Sequence, residues 1–356
     1  MFLFVCWTPY QIFNAVNFVV NDIEDSKGNS DIYIYHDFFG AAQLSENLKK
    51  SGVFNQVYDV EVYDKKRKIW YSKLNKIKRL LFPLATVKRY LLADIDVRKR
   101  GYEILIIAGN NLFSVNLYNC IKNLRVYFID DGIASYFGDM RSRDITFLYR
   151  IFNKLFHRGP LSYKVEKLYI NNKSACQATI CDNIIQLPSV YANGKVMKKL
   201  KEIFSYTEND LYLNKRYIYL TQPFYETAVG EKARKIEKTI INSVKEEVVV
   251  RVHPRQDANE YKEYFTDNIS NQWELESGEQ ITDENVLIGT FSTAQFTPKL
   301  LFGKEPQVIF TYKLYGLDSD DYEESIERLR SLYKNPLKVI VIENLEELQV
   351  MLKGLD

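Results

Sequence analysis

The sequence has few of the residues that bind metals or cross-link a chain. It contains four cysteines and three histidines among 356 residues. No two cysteines have CxxC spacing, and no histidine lies at ligand spacing from them. These absences argue against a zinc signature and a disulfide framework. We therefore expect reduced thiols, as in a cytoplasmic protein. We also expect no cofactor and no required metal.

Long apolar runs and glycine-rich phosphate loops are missing as well. No apolar stretch reaches the roughly 18 residues of a membrane-spanning helix. The apolar start at residues 1–6 is short and lacks the basic residues of a secretion signal. There is no Walker A motif and no GxGxxG motif, so the sequence lends little support to a kinase or an NAD-dependent enzyme.

The composition and the order of the predicted elements indicate a large α/β protein. The chain is 46% hydrophobic and 26% charged, which is typical of a globular protein. Its length predicts two domains, which we place at residues 1–205 and 206–356. Predicted strands include residues 125–129, 165–170, 217–220, 286–289 and 307–310, and a predicted helix covers 141–156. Strands and helices alternate in both halves, which predicts two Rossmann-like, doubly wound domains facing each other across a cleft.

One segment of the first half, residues 65–100, is strongly basic. It contains 13 Lys and Arg residues against two Asp residues. Trp70, Leu74, Ile77 and Leu81 lie on one face of a predicted helix. This amphipathic helix is suited to peripheral contact with an anionic membrane surface, or it packs on its own domain with its lysines in water. We expect no nucleic-acid binding, because no recognised RNA or DNA motif accompanies the charge.

Polar residues follow the strands of the first half. Asp130, Asp131 and Gly132 come directly after the strand at 125–129. The two carboxylates are adjacent and point in different directions, so they do not predict a metal site. Gly132 permits a sharp turn, although Asp131 is also a candidate N-cap for a helix near Ala134. The first strand is followed by a helix start with Thr8 as N-cap, in which Gln11 is the polar side chain of most interest.

The second half has two comparable sites. His253 follows a predicted strand, and Arg251 lies two residues earlier on the same side, which suits a phosphate. Pro254 cannot continue the strand ladder. Ser292 and Thr293 lie between a strand and a helix, where two hydroxyls and free N–H groups would hold a phosphate, unless they only cap the helix. A carboxylate in one half and these groups in the other predict group transfer from a nucleotide-activated donor.

These motifs resemble those of the bacterial sialyltransferases of the lipooligosaccharide and streptococcal capsule family. That family has an acidic-acidic-Gly motif, a His-Pro motif and a Ser-Ser/Thr motif in the same order. The resemblance implies a GT-B fold with an acceptor-side first domain and a nucleotide-binding second domain. It also implies inverting, metal-independent transfer of sialic acid from CMP-sialic acid to a galactose-type hydroxyl of a surface glycan, either lipooligosaccharide or capsule.

The resemblance implies roles for individual residues. Asp130 would be the general base and His253 the general acid, while Gln11, Asp131 and Gly132 would form the acceptor side or its loop. Arg251, Pro254, Ser292 and Thr293 would line the donor site. A glutamate would hold the ribose, with Glu274, Glu276 and Glu279 as candidates and Glu279 favoured.

Two other functions are consistent with the same residues. One is a GT-B transferase that uses another nucleotide sugar. The other is a non-catalytic, membrane-peripheral protein of polysaccharide assembly.

Overall fold

In the computed structural model the chain forms two compact units, Met1–Ser205 and Tyr206–Asp356. The structure describes residues 1–60, 82–91, 95–137, 161–192, 194–223, 230–253, 256–267, 271–317 and 319–355. The predicted helix at 141–156 therefore lies outside the described residues, as does most of the basic segment. None of the helices in the described ranges is both long and apolar enough to cross a membrane.

The first unit is built on a parallel sheet, with seven strands in the part that the structure describes. The strands are β1 (Phe2–Cys6), β2 (Ser30–Tyr35), β3 (Gln56–Val60), β4 (Ile104–Ile107), β5 (Arg125–Ile129), β6 (Val165–Ile170) and β7 (Ile184–Gln186), in the order β3-β2-β1-β4-β5-β6-β7. All five residues of β1 are buried and apolar, as expected for a strand covered on both faces.

Helices connect these strands. They are α1 (Pro9–Val20), α2 (Ala41–Ser51), α3 (Pro83–Tyr90), α4 (Leu112–Cys120), α5 (Ala134–Phe137) and α6 (Gly194–Ile203), with 3₁₀ turns at Ile23–Asp25, Val97–Lys99, Leu161–Tyr163 and Lys173–Ala175. The α1 helix begins as predicted, because Thr8 caps it and Pro9 occupies its first turn.

The second unit has a smaller parallel sheet. Among its described residues the strands are β8 (Tyr217–Leu220), β9 (Val248–Arg251), β10 (Val286–Gly289), β11 (Gln307–Phe310) and β12 (Val339–Val341), in the order β12-β11-β10-β8-β9. The helices are α7 (Gly230–Ser243), α8 (Trp273–Glu279), α9 (Thr293–Phe302), α10 (Asp320–Leu332) and α11 (Leu345–Leu355), with 3₁₀ turns at Ala258–Tyr261, Tyr312–Tyr315 and Pro336–Lys338.

The strand order determines where polar loops collect. In the first sheet the order reverses between β1 and β4, and in the second between β8 and β10. Ligands of doubly wound sheets bind beside such reversals, at the carboxyl ends of the strands. The residues after β1, β4 and β5 therefore share one edge of the first sheet, and those after β8, β9 and β10 share the matching edge of the second.

Most predicted strands are confirmed, and five of them (β5, β6, β8, β10 and β11) have the predicted bounds. The α8 helix was not predicted. Six of its seven residues, including Glu274, Glu276 and Ser277, are buried, so it lacks the polar face by which an amphipathic helix is recognised.

Candidate functional site

Asp130 is completely buried at the end of β5. Its Oδ2 accepts hydrogen bonds from the Tyr136 hydroxyl at 2.6 Å and from the backbone and side-chain nitrogens of Asn171 at 3.0 Å. Its Oδ1 accepts one from the backbone N–H of Gly132 at 2.8 Å. Burial raises the pKa of Asp130, while these hydrogen bonds act in the opposite direction.

Through these contacts Asp130 holds neighbouring segments of the first unit together. Both carboxylate oxygens are occupied, and no part of the residue is exposed to an acceptor hydroxyl. The Asn14 side chain also donates to its backbone oxygen at 3.0 Å, so Asp130 joins β5, the residue after β6 and α1. This placement differs from the general-base role that the resemblance implied.

Asp131, the next residue, has different surroundings. It is half-buried, and its Oδ1 accepts a hydrogen bond from the Gln11 side chain at 2.7 Å. Its Oδ2 accepts none from the described residues. Burial raises the pKa of Asp131 to about 7, the Gln11 hydrogen bond opposes this rise, and the nearby Asp130 charge adds to it. A carboxylate with a pKa near the working pH is well suited to accept a proton.

Gln11 holds Asp131 from a position 120 residues earlier in the chain. Its side chain is fully buried, and its Oε1 accepts a hydrogen bond from the backbone N–H of Trp7 at 2.8 Å. The carboxamide therefore has one orientation, with Nε2 directed at Asp131. The predicted interest in Gln11 has a physical basis, since it links the end of β1 to the loop after β5.

Gly132 makes the turn after the two acids. Its φ of +86° lies in the left-handed region that glycine adopts without strain. This conformation lets the Gly132 N–H reach Asp130. Asp131 does not act as a helix cap, because its side chain accepts from Gln11, while its backbone N–H donates to the Ser135 hydroxyl at 2.8 Å.

In the second unit, His253 follows β9 and is half-buried. Its backbone is held on both sides. The His253 N–H donates to the Thr221 hydroxyl at 2.8 Å, and the His253 carbonyl accepts from the Gln256 N–H at 2.8 Å. Thr221 follows β8, so the two loops at this edge of the sheet are tied together. Pro254 lies outside the described residues.

Arg251 is placed differently from the expectation that it faces a phosphate beside His253. Its guanidinium forms an ion pair with Asp267, whose side chain is 1% exposed, and it donates to the backbone carbonyl of Asn271. It also donates to the Tyr212 hydroxyl at 3.3 Å. A guanidinium at a buried position needs such partners, so Arg251 anchors the end of β9 to the segment before α8.

Ser292 is the N-cap of α9. Its hydroxyl accepts from the Ala294 N–H at 3.3 Å, and the Gln295 side chain accepts from the Ser292 N–H at 3.0 Å, which completes a capping box. The capping interpretation is thus confirmed for Ser292. Capping uses the hydroxyl as an acceptor, and its proton remains available to a phosphate. Ser292 and Thr293 are both half-buried.

The α8 helix distinguishes the three candidate glutamates. The Trp273 indole N–H donates to the Ala294 carbonyl at 3.0 Å, which places the start of α8 next to Ser292 and Thr293. At the other end, Lys304 donates to the carbonyls of Ser277 and Gly278. Glu274 lies in the first turn and is buried, with its side chain accepting a hydrogen bond from Gln272, whereas Glu279 is exposed at the far end.

Glu276 has a different environment. It is completely buried and accepts hydrogen bonds from Asn271 at 2.6 Å and Asn209 at 2.9 Å. Of the three glutamates, Glu274 lies nearest in sequence to Trp273, whose indole contacts α9. Sequence spacing alone could not show this contact, because α8 was not predicted.

Three residues that hold the candidate catalytic side chains were not predicted from the sequence. Asn171 and Tyr136 hold Asp130, and Thr221 holds His253. Asn171 and Thr221 directly follow predicted strands, which is the one sequence signal that marked them.

No family model matches this sequence, and no curated protein is similar to it. Solved structures do match it over both units. The GT-B domain of a sialyltransferase from Photobacterium damselae has a TM-score of 0.53 and 11% identity, covering 96% of this chain and 99% of that one. The chain has a GT-B type fold. This confirms the predicted α/β class with two Rossmann-like units.

Two further matches have other activities in their names. The spinosyn forosaminyltransferase SpnP has a TM-score of 0.54 and 11% identity, covering 99% of this chain and 89% of that one. The UDP-GlcNAc 2-epimerase of Methanocaldococcus jannaschii has a TM-score of 0.53 and 12% identity, with coverage of 99% and 92%. At such identities the likeness shows that these GT-B chains share a fold, and it does not select a donor.

Proposed function

We propose that this protein is an inverting glycosyltransferase that moves sialic acid from CMP-sialic acid to a galactose-type hydroxyl of a surface glycan. The observation that carries the proposal is Asp131, a carboxylate whose pKa is raised to about 7 by burial and which Gln11 holds at the carboxyl edge of the first sheet. The motif order and the GT-B fold support the same conclusion.

In this proposal Asp131 is the general base. It removes the proton of the acceptor hydroxyl as the new bond forms between that oxygen and the anomeric carbon. Attack from the face opposite the leaving group inverts that carbon, so one base suffices and no covalent intermediate is needed. Asp130 holds the loop on which Asp131 is placed.

The second unit provides the leaving-group side. The bond from the anomeric carbon to the phosphate oxygen breaks, and CMP departs with the electron pair. His253 donates a proton or a hydrogen bond to the phosphate, and Ser292 and Thr293 offer hydroxyl donors at the start of α9. Glu274 is the residue we assign to the ribose hydroxyls. Pro254 stays in the proposal as a donor-site residue, and Arg251 supports the strand end.

A panel of donors tests this function. Purified protein is incubated with CMP-sialic acid, UDP-GlcNAc, UDP-galactose or GDP-mannose, with and without a galactose-terminated acceptor, and nucleotide release is measured by chromatography. We expect CMP release from CMP-sialic acid alone among these donors, and more release with acceptor. Release of UDP or GDP instead would identify another nucleotide-sugar transferase.

A binding measurement separates the enzyme from the non-catalytic assembly protein. CMP at about 100 times its Kd should stabilise an enzyme of this kind by about 2.7 kcal/mol. We expect a rise in Tm with CMP and a smaller one with UMP at equal concentration. No shift with any nucleotide would favour the assembly protein. Cytoplasmic location and membrane contact through residues 65–100 belong to the same proposal.

A further inference from the structure

A chain of hydrogen bonds runs from His253 into the core of the second unit. The His253 backbone N–H donates to the Thr221 hydroxyl at 2.8 Å, and that hydroxyl donates to Oε1 of Gln256. Nε2 of Gln256 then donates to the Tyr261 hydroxyl at 2.9 Å. The Tyr261 hydroxyl donates to Oε2 of Glu237 at 2.7 Å. The chain joins four parts of the unit: the loops after β8 and β9, the 3₁₀ turn at Ala258–Tyr261, and α7.

Every bond in the chain has the same direction. Each hydroxyl accepts on the side of His253 and donates on the side of Glu237, and the Gln256 carboxamide does so through its oxygen and its nitrogen. Reversal at any link would set two donors or two acceptors against each other. The order ends at Glu237, where Oε2 accepts from the Tyr261 hydroxyl.

The far end of the chain is deeply buried. Glu237 and Tyr261 are each 2% exposed, and Thr221 is 3% exposed. A carboxyl group at such a position is costly unless it has partners, and Oε1 of Glu237 accepts no hydrogen bond from the part of the chain that the structure describes. A core tyrosine and an apolar residue on α7 would pack there without this cost, so packing alone does not account for the arrangement.

We infer that Glu237 and Tyr261 are positioning residues for His253: through Gln256 and Thr221 they fix the backbone from which the imidazole is presented to the leaving group. This inference rests on the proposed function for the role of His253. Gln256 contributes twice, since its own N–H also donates to the His253 carbonyl at 2.8 Å. The backbone on both sides of the imidazole is thereby tied to one buried network.

The first test is Tyr261→Phe, which removes one hydroxyl and interrupts the chain in its middle. We expect kcat for transfer to fall by about 10–100-fold, as for a small misplacement of a reacting group, while KM for the donor changes by less than about threefold. Tyr333→Phe is the matched control. The Tyr333 hydroxyl is also buried in this unit, but it has no hydrogen-bond partner among the described residues, so kcat should not change.

A double-mutant cycle separates positioning from general loss of stability. Thr221→Val breaks the link next to His253, so adding Tyr261→Phe to it should lower kcat by less than about threefold more. If the double variant loses kcat by the product of the two single losses, the two residues act independently and the inference is overturned. Gln256→Met interrupts the same chain at a half-buried residue and replaces Tyr261→Phe in this cycle if that variant does not fold.

Histidine NMR gives a readout that needs no donor. The chain has three histidines, so selectively ¹⁵N-labelled protein gives three sets of ring signals, and His253→Gln assigns one. We expect Tyr261→Phe to shift the His253 ring signals and to leave those of His36 in place, and Tyr333→Phe to shift neither. Unchanged His253 signals together with normal kcat would refute the inference and leave the proposed function intact. If the His253 ring signals shift but the protein releases no nucleotide from any donor, the proposed function is refuted and the link between Tyr261 and His253 still stands.

Discussion

Asp130 and Asp131 are adjacent, yet their carboxylates have different surroundings. The Asp130 side chain accepts four hydrogen bonds in the interior, and the Asp131 side chain accepts one from the described residues. Successive side chains at the end of a strand point to opposite sides, so one of two neighbouring acids faces the core. A motif of two acids thus predicts a carboxylate at the edge of the sheet but does not say which residue provides it.

Substitution of each acid by asparagine tests this division. Asp131→Asn removes the proposed base, and we expect transfer to fall by about 10²–10⁴-fold with an unchanged Tm. Asp130→Asn places an N–H donor among groups that themselves donate, so the free energy of unfolding should fall by about 1–3 kcal/mol. Donor turnover and thermal unfolding of both variants are the measurements. Full activity in Asp131→Asn would return the role of base to Asp130 or to another group.

Glu237 predicts a pH dependence of stability. Burial raises its pKa in the folded protein from an ordinary 4.5 to about 7. Between these values the unfolded chain ionises Glu237 and the folded chain does not, so its contribution to stability is greatest below about pH 4.5 and falls as the pH rises towards 7. Glu237→Gln removes this dependence on pH. It also weakens the hydrogen bond from Tyr261, but by an amount that is the same at every pH.

The measurement is urea unfolding of wild type and Glu237→Gln at pH 5 and pH 8. At each pH, the unfolding free energy of wild type is subtracted from that of the Gln variant. This difference should be more positive at pH 8 than at pH 5, by an amount on the order of 3 kcal/mol. Glu263→Gln is the control, since Glu263 is an exposed carboxylate paired with Lys238. An equal difference at both pH values would show that Glu237 has an ordinary pKa.

At the scale of elements, α8 separates the two glutamates that compete for the proposed ribose site. Its first turn contacts α9 beside Ser292 through the indole of Trp273, and its last turn is bound by Lys304. The spacing of about 1.5 Å per residue separates Glu274 from Glu279 by about 7 Å along the axis. Two glutamates of one short helix therefore lie at different distances from the start of α9, where we propose that the phosphate binds.

Glu274→Gln and Glu279→Gln form a matched pair. We expect Glu274→Gln to raise the Kd for CMP by about 10-fold, the loss of roughly 1.5 kcal/mol from a hydrogen bond to a charged group. Glu279→Gln should leave the Kd within about twofold. Isothermal titration with CMP and with 2′-deoxy-CMP is the measurement, and the Glu274 variant should no longer distinguish the two ligands. The reverse pattern would restore Glu279 to the ribose.

At the scale of the whole molecule, charge is unevenly distributed along a nearly neutral chain. The formal net charge is +2, although residues 65–100 contain 13 basic and two acidic residues. Such a segment gains about 1 kcal/mol for each basic residue near an anionic lipid surface, and salt screens this attraction. The segment is the part of the chain for which a surface partner is expected.

Sedimentation with vesicles tests this expectation. We expect the full chain to bind phosphatidylglycerol vesicles in about 0.05 M salt and to be released in about 0.5 M salt. Replacing Lys73, Lys76, Lys78 and Arg79 by Gln should weaken binding at least 10-fold. The control replaces the exposed Lys198, Lys232, Lys245 and Lys262 by Gln and should bind as wild type. If both variants lose vesicle binding equally, binding depends on the net charge of the protein and residues 65–100 are not a specific membrane-binding segment.

The sequence by itself determined the strands, their parallel α/β arrangement and the polar residues that follow them, because buried apolar runs and helix caps depend on local sequence. Only the tertiary structure decided what each polar group does. Asp131 is held by Gln11 from 120 residues away, Arg251 is paired with Asp267 across 16, and Glu237 reaches His253 through three other side chains. Such partners come together by packing, and hydrogen-bond donors and acceptors far apart in a chain leave no periodic pattern in its sequence.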